Sequence, residues 1–228
     1  MENEQLPSSQ PNNPSAQLAF DKEKITGFYK KNLPEILKTF FTEPIAGNYS
    51  LLSSKNDNNF FSAMILIIST AVLYILLPYL MLGDAREYVG FGTMLKIGIC
   101  VALLLIIITA LVFSIKSISG KPVFKNELLT GALCGIPLSF LLLIIFILKL
   151  FSKNLDPQRL AMGDIDSLQS VGVVASLIVL YVFLMLINTI QQSLKSGGTK
   201  DALAWYLSPV TILLAIYITI KLAKAFIA

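Results

Sequence analysis

Five long apolar stretches, separated by short polar segments, constrain this chain more than any other feature of its sequence. Each is about 22–26 residues long, and an α-helix needs about 20 apolar residues to cross the hydrocarbon core of a bilayer. Within lipid a segment must satisfy its own backbone hydrogen bonds, which favours α-helices. The sequence therefore predicts an all-α, polytopic membrane protein with five transmembrane helices. The predicted spans are Phe60–Leu82, Phe91–Ile115, Leu128–Phe151, Leu168–Gln191 and Ala202–Ile227.

Composition predicts three regions along the chain. Residues 1–19 contain Pro, Ser, Asn and Gln with few apolar residues, which is typical of a disordered polar tail. Residues 20–58 are predicted to form an amphipathic pre-membrane segment, and residues 59–228 the five-helix transmembrane domain. Only 14% of the residues are charged, against about a quarter in a soluble domain. Little of the chain is therefore left for a separate soluble domain.

The pre-membrane segment contains its own helix signals. Apolar residues recur at three- and four-residue spacing from Ile25 to Phe41, with lysines on the opposite face. We predict a fresh helix that begins at Leu33, because Asn32 resembles the first residue of a capping box and Pro is tolerated in a first turn. The residue before a proline disfavours the helical conformation, so Glu43-Pro44 is expected to end this helix.

An amphipathic helix with aromatic residues and lysines, placed just before a membrane span, is typical of a helix that lies in the headgroup interface. Its lysines would favour an anionic leaflet. Two alternatives remain open: packing against a soluble partner, or folding back on the protein's own loops. The residues expected to contact the membrane surface are Phe28, Lys30, Lys31, Lys38, Phe40 and Phe41.

The distribution of positive charge predicts the orientation in the membrane. Of the 18 Lys and Arg residues, 11 fall on the side that contains the N-terminus and 7 on the opposite side. Cytoplasmic loops carry the excess of Lys and Arg, so we expect a cytoplasmic N-terminus and an exported C-terminus. The connection Lys116–Glu127 is interpreted as one of the short basic cytoplasmic loops.

The interiors of the predicted spans contain few polar groups. Buried ionisable residues usually mark transport or proton movement, and the middle of every predicted span lacks Asp, Glu, Lys and Arg. Asn188 is expected to donate an interhelical hydrogen bond or to face headgroups. Gly131 and Gly135 form a GxxxG pair, which favours a close helix contact inside the protein over a homodimer face.

Signals for catalysis and cofactor binding are missing from the sequence. The chain has no histidine, which removes the commonest general base and metal ligand. Cys100 and Cys134 lie in apolar stretches and lack the spacing of a redox or metal motif. We therefore expect a protein that is not an enzyme and that has no catalytic residues, metal site or cofactor.

The order of these segments resembles the Yip family, the Rab-GTPase-interacting membrane proteins and their bacterial relatives. The resemblance lies in an amphipathic segment that ends in a short stretch with a proline, Ile36–Pro44, followed by a brief polar linker and five closely spaced spans. It implies five spans, a cytoplasmic N-terminus and an exported C-terminus. The preference for Lys over Arg and the short loops favour a bacterial relative, in the inner membrane.

These observations favour a non-enzymatic scaffold, adaptor or membrane-organising protein. Its expected partners are the lipid bilayer and a membrane protein or second copy of the chain, and not nucleic acid, because the net charge of +4 is spread along the loops. The alternative is a small transporter or permease subunit. Prolines inside three spans, Pro78, Pro137 and Pro209, motivate it, since broken helices can line transport sites. Its candidate polar lining is Asn188, Thr109 and Ser139.

Overall fold

The computed structural model describes residues 22–54, 58–87, 89–120, 122–151 and 166–227. Within these ranges the chain is helical and contains no strand. The predicted tail, residues 1–19, lies outside the described residues. We number the helices α1 (Leu33–Thr42), α2 (Ala46–Ser53), α3 (Asn58–Met81), α4 (Phe91–Ser119), α5 (Phe124–Phe151), α6 (Asp166–Ser196) and α7 (Asp201–Ile227).

The prediction of an all-α membrane protein with five transmembrane helices is confirmed. Helices α3 to α7 each contain a stretch long and apolar enough to cross a membrane. The third stretch begins at Phe124, earlier than the predicted Leu128, because helix α5 starts with polar residues. Only 28–44% of the most apolar window of each span is buried in the protein. The other residues of these windows are partly or fully exposed at the surface of the bundle, as expected of helices surrounded by lipid.

Helix α5 lies at the centre of the bundle. It packs against α3, α4 and α6, while α7 packs against α4 and α6. Fully buried Leu105 and Ile108 of α4, Leu133 of α5 and Ile190 of α6 form the core between them. Pro78, Pro137 and Pro209 lie inside α3, α5 and α7, which continue through them as helices.

The pre-membrane segment folds into a helical hairpin. Its first arm is the π-helical turn Phe28–Asn32 continued by α1, and its second arm is α2, after the turn at residues 43–45. Helix α1 ends before Glu43, as predicted. The prediction of a fresh helix at Leu33 is wrong, because the chain is already helical from residue 22 to residue 32. The predicted capping box is wrong. Asn32 has helical dihedral angles (φ −72°, ψ −44°) and its side chain makes no capping hydrogen bond, because a π-helical turn, Phe28–Asn32, leads directly into α1.

Gly47 allows the two helices of the hairpin to approach each other. A Cβ atom at this position would lie 2.6 Å from the Thr39 methyl carbon and 2.8 Å from the Thr39 carbonyl oxygen. Its backbone N–H donates to the Glu43 carbonyl at 2.8 Å. A larger residue at position 47 would push α2 away from α1.

The GxxxG pair lies inside the bundle. A Cβ atom at Gly131 would collide with the carbonyl oxygen of Leu105 and with Oγ1 of Thr109. A Cβ atom at Gly135 would lie 2.6 Å from Oγ1 of Thr70. Gly131 therefore sets the distance between α5 and α4, and Gly135 the distance between α5 and α3.

Substitution of Gly131 by alanine is expected to destabilise the protein. The added methyl group meets backbone, which cannot rotate away, so α4 and α5 must separate, at a cost of about 1–3 kcal/mol. Thermal unfolding of the purified protein in detergent should show a lower Tm. The matched control is Gly92→Ala in the first turn of α4, where nothing lies within 4 Å of the added atom. Equal Tm values for the two variants would contradict this account of Gly131.

Candidate functional site

A buried ion pair joins two helices at one end of the bundle. Lys116 Nζ lies 2.6 Å from Glu127 Oε2, and the two side chains are only 4% and 11% exposed. Lys116 belongs to the last turn of α4 and Glu127 to the first turn of α5. Each charge also has the favourable sign for its helix terminus.

This pair corrects the interpretation of Lys116–Glu127 as a loop. Helix α4 extends to Ser119 and α5 begins at Phe124, so both ends of that segment are helical. The apolar stretches end before these charges, and a hydropathy reading therefore assigns them to solvent. The signal that would have found the pair is a Lys and a Glu at the facing ends of consecutive spans, joined by a short connection.

The ends of α6 and α2 cover the ion pair. A Cβ atom at Gly197 would lie 2.7 Å from Lys116 Cδ, so the lysine stem passes directly over this glycine. Lys116 Nζ also donates to Ser196 Oγ at 3.4 Å. A cavity of about 230 Å³ adjoins the pair, and its wall includes Ser53 at the end of α2 and Ser54 after it.

A second polar contact lies one helical turn further into the bundle. The hydroxyl groups of Thr130 in α5 and Ser193 in α6 are 2.7 Å apart, and both residues are fully buried. Asn48 in α2 is also fully buried, and neither atom of its amide has a hydrogen-bond partner among the described residues. The polar groups in this half of the bundle therefore lie between α5, α6 and the hairpin.

Buried aromatic residues dock the N-terminal segment onto the bundle. Phe28 and Phe40 are 2% and 0% exposed, which differs from the expectation that they contact the membrane surface. The apolar face of this segment has the bundle to pack against, so it is buried in protein. Tyr29 Oη lies 2.6 Å from Ser69 Oγ of α3, and the rings of Phe41 and Phe140 are 5.5 Å apart.

The polar side of the segment faces outward. Lys30, Lys31 and Lys38 are exposed, and Phe41 is 40% exposed. We call these three lysines the lysine face. Because α1 is held by Phe40 beneath it, the lysine face has a fixed position relative to the bundle.

Asn188 connects α6 to the turn of the hairpin. Its Nδ2 donates to the Pro44 carbonyl at 2.5 Å, and its Oδ1 accepts a hydrogen bond from Gln192 at 3.2 Å. At a rise of about 1.5 Å per residue, Asn188 lies about 12 Å along α6 from its end at Ser196. The hairpin turn therefore lies beside α6 and not at the end of the bundle.

The three candidate residues of a transport path lie in separate contacts. Thr109 donates to the Leu105 carbonyl within α4 at 3.0 Å. Ser139 donates to Thr70 Oγ1 at 3.4 Å, between α5 and α3. Asn188 is engaged with the hairpin. The fold does not bring these three polar groups together.

These features define an integral, multi-pass α-helical membrane protein with a hairpin docked against its spans. Within the described part of the chain, no three His, Cys, Asp or Glu residues are grouped to hold a metal ion. Cys100 and Cys134 are both free. Comparison with family models, curated proteins and solved structures finds no match for this chain. Membership of the Yip family stays a prediction.

Proposed function

We propose that this protein is a non-enzymatic scaffold or adaptor of the Yip-like type in a bacterial inner membrane. In this proposal the N-terminus is cytoplasmic and the C-terminus is exported. The protein holds a membrane-protein partner, or a second copy of the chain, beside its hairpin. The observation that carries the proposal is the fixed lysine face on a helix whose apolar side is already buried in the bundle.

The docked hairpin supports an adaptor role, because the apolar side and the polar side of its amphipathic helix serve different purposes. Its apolar residues, such as Phe28 and Phe40, stabilise the protein's own fold. Its exposed lysines remain available to an acidic surface, and complementary charge mainly gives specificity and fast association. Rigid presentation also lowers the entropy cost of binding, because the helix is ordered before a partner arrives.

The transporter alternative receives less support. The cavity at the depth of Thr70 and Ile136 has an almost entirely apolar wall. The charged side chains buried among the described residues, Lys116 and Glu127, lie at the end of the bundle and neutralise each other. A path for polar solutes needs polar groups along the middle of the membrane.

In-cell photo-crosslinking tests the adaptor proposal. A photoreactive amino acid placed at Lys31 or Lys38 is expected to give the same discrete protein adduct in repeated experiments, detected by a mass shift and identified by mass spectrometry. The expectation follows because both positions lie on the exposed, fixed face of the hairpin.

Position 118 provides the matched control. Ile118 lies at the same end of the bundle and is 87% exposed, but it belongs to α4 and not to the hairpin. The same reactive group there should give no such adduct. Adducts with lipid alone at positions 31 and 38, or identical adducts at all three positions, would overturn the proposal.

A further inference from the structure

Two cavities follow one another along the groove between α3 and α5, and α1 lies across them. The outer cavity, of about 270 Å³, is bordered by Asn32 of the π turn and by Glu35 and Ile36 of α1. The inner cavity, of about 240 Å³, is bordered on α1 by Leu33, Leu37 and Phe41. Both therefore lie between α1, α3 and α5, and Leu51 of α2 also borders the outer cavity.

The lining residues show that the cavities are consecutive. On α3, Asn59 and Ser62 line the outer cavity and Leu66 and Leu73 the inner one. These positions recur at three-, four- and seven-residue intervals, which places them on one face of the helix. Ser62 and Leu66 are about 6 Å apart along the axis at about 1.5 Å per residue. The same order holds on α5, where Leu133 lines the outer cavity and Ile136 the inner one.

The polarity of the groove changes along its length. The outer cavity presents one carboxylate and several hydroxyl and amide groups, from Asn32, Glu35, Ser54, Asn59 and Ser62. The inner cavity is lined chiefly by leucine, isoleucine and phenylalanine side chains. A site that is polar toward the end of the bundle and apolar toward its middle matches a molecule with a headgroup and an acyl chain.

The charge of the outer cavity selects among headgroups. Of the described residues that line it, Glu35 alone is charged. No described cation lies within ion-pair distance of the Glu35 carboxylate. Lys31 and Lys38 flank Glu35 along the chain, but they are exposed and do not line the cavity. Within the cavity an anionic headgroup would therefore meet a negative charge, whereas a primary ammonium would meet its complement. The amide and hydroxyl groups of Asn32 and Ser62 provide hydrogen-bond donors for a neighbouring phosphate.

We propose that this groove binds one membrane lipid with an ethanolamine headgroup. The ammonium lies against Glu35 in the outer cavity, and part of one acyl chain fills the inner cavity between α3 and α5. This proposal requires only the membrane-spanning fold and does not depend on an adaptor role.

Lipid retention tests the proposal on the full-length protein. The protein is reconstituted in vesicles with equal parts of phosphatidylethanolamine, phosphatidylcholine and phosphatidylglycerol, extracted in mild detergent and analysed by native mass spectrometry. We expect one retained lipid, and phosphatidylethanolamine about tenfold over the others, since a hydrogen bond to a charged group commonly contributes that factor. Phosphatidylcholine lacks N–H donors, and phosphatidylglycerol lacks the positive charge.

Three variants test separately where the headgroup and the acyl chain of the lipid bind. Glu35→Gln is expected to abolish the headgroup preference while a lipid is still retained. Leu73→Trp, which fills the inner cavity, should reduce retention of all three lipids equally. Glu43→Gln, an exposed glutamate in the hairpin turn that lines neither cavity, should leave retention unchanged. Equal retention of the three lipids by the unmodified protein, or a preference for phosphatidylglycerol, would by itself overturn the proposal.

Discussion

Removal of either charge of the Lys116–Glu127 pair is expected to destabilise the folded protein by about 3–5 kcal/mol, because the remaining charge stays buried without its partner. The variants Lys116→Met and Glu127→Leu each test this expectation. The geometry supports a large effect, since the charged atoms are 2.6 Å apart and the side chains are at most 11% exposed. Reversible unfolding in mixed detergent micelles would give the change in the free energy of unfolding.

The double variant Lys116→Met with Glu127→Leu separates the pair's net contribution from the cost of an orphaned charge. Apolar replacement of both members of a buried pair is often neutral or stabilising. We therefore expect the double variant to be more stable than either single variant. A double variant whose loss equals the sum of the two single losses would show that the charges act independently, which would contradict the account of the pair.

The exposed pair Lys195–Asp201 is the matched control. Its charged atoms are 3.3 Å apart, but its side chains are 24% and 81% exposed. Water and salt weaken such pairs, and they typically contribute about 0–1 kcal/mol. Lys195→Met should therefore change the free energy of unfolding far less than Lys116→Met. Similar losses for the two substitutions would indicate that burial does not determine the effect.

The five spans could be predicted because the signal is local. Each span is a continuous run of apolar residues, and its length alone fits the hydrocarbon core. The amphipathic helix and its end at Thr42 were equally predictable, since the periodicity lies within the segment and Pro44 follows it directly. These features require no knowledge of which other parts of the chain are nearby.

Features that depend on tertiary contacts could not be predicted in the same way. The apolar face of α1 fits either a membrane surface or a protein surface, and the sequence does not say that α3 and α5 offer a groove for Leu37 and Phe41. Likewise, hydropathy places Lys116 and Glu127 outside the spans, although the helices continue through both residues. Asn188 was recognised as a hydrogen-bond donor, but its acceptor, the Pro44 carbonyl, lies 144 residues earlier in the chain.

The second large effect is expected from Phe40→Ala, which should release the hairpin from the bundle. Phe40 is fully buried, and removal of such a side chain costs about 3–5 kcal/mol. The hairpin has few other large buried anchors, so this loss should open the hairpin locally while the five spans stay folded. Hydrogen exchange of the detergent-solubilised protein would measure it, with faster exchange in α1 and α2 and unchanged exchange in α5.

The adjacent phenylalanine provides the control because it differs from Phe40 mainly in burial. Phe41 is 40% exposed and contacts Phe140 at the edge of the inner cavity. Loss of a single aromatic contact is worth about 0.5–1.5 kcal/mol beyond the buried area, so Phe41→Ala should increase exchange in the hairpin much less. If Phe40→Ala left the hairpin as protected as in the unmodified protein, Phe40 would not anchor it, and the fixed position of the lysine face would lose its support.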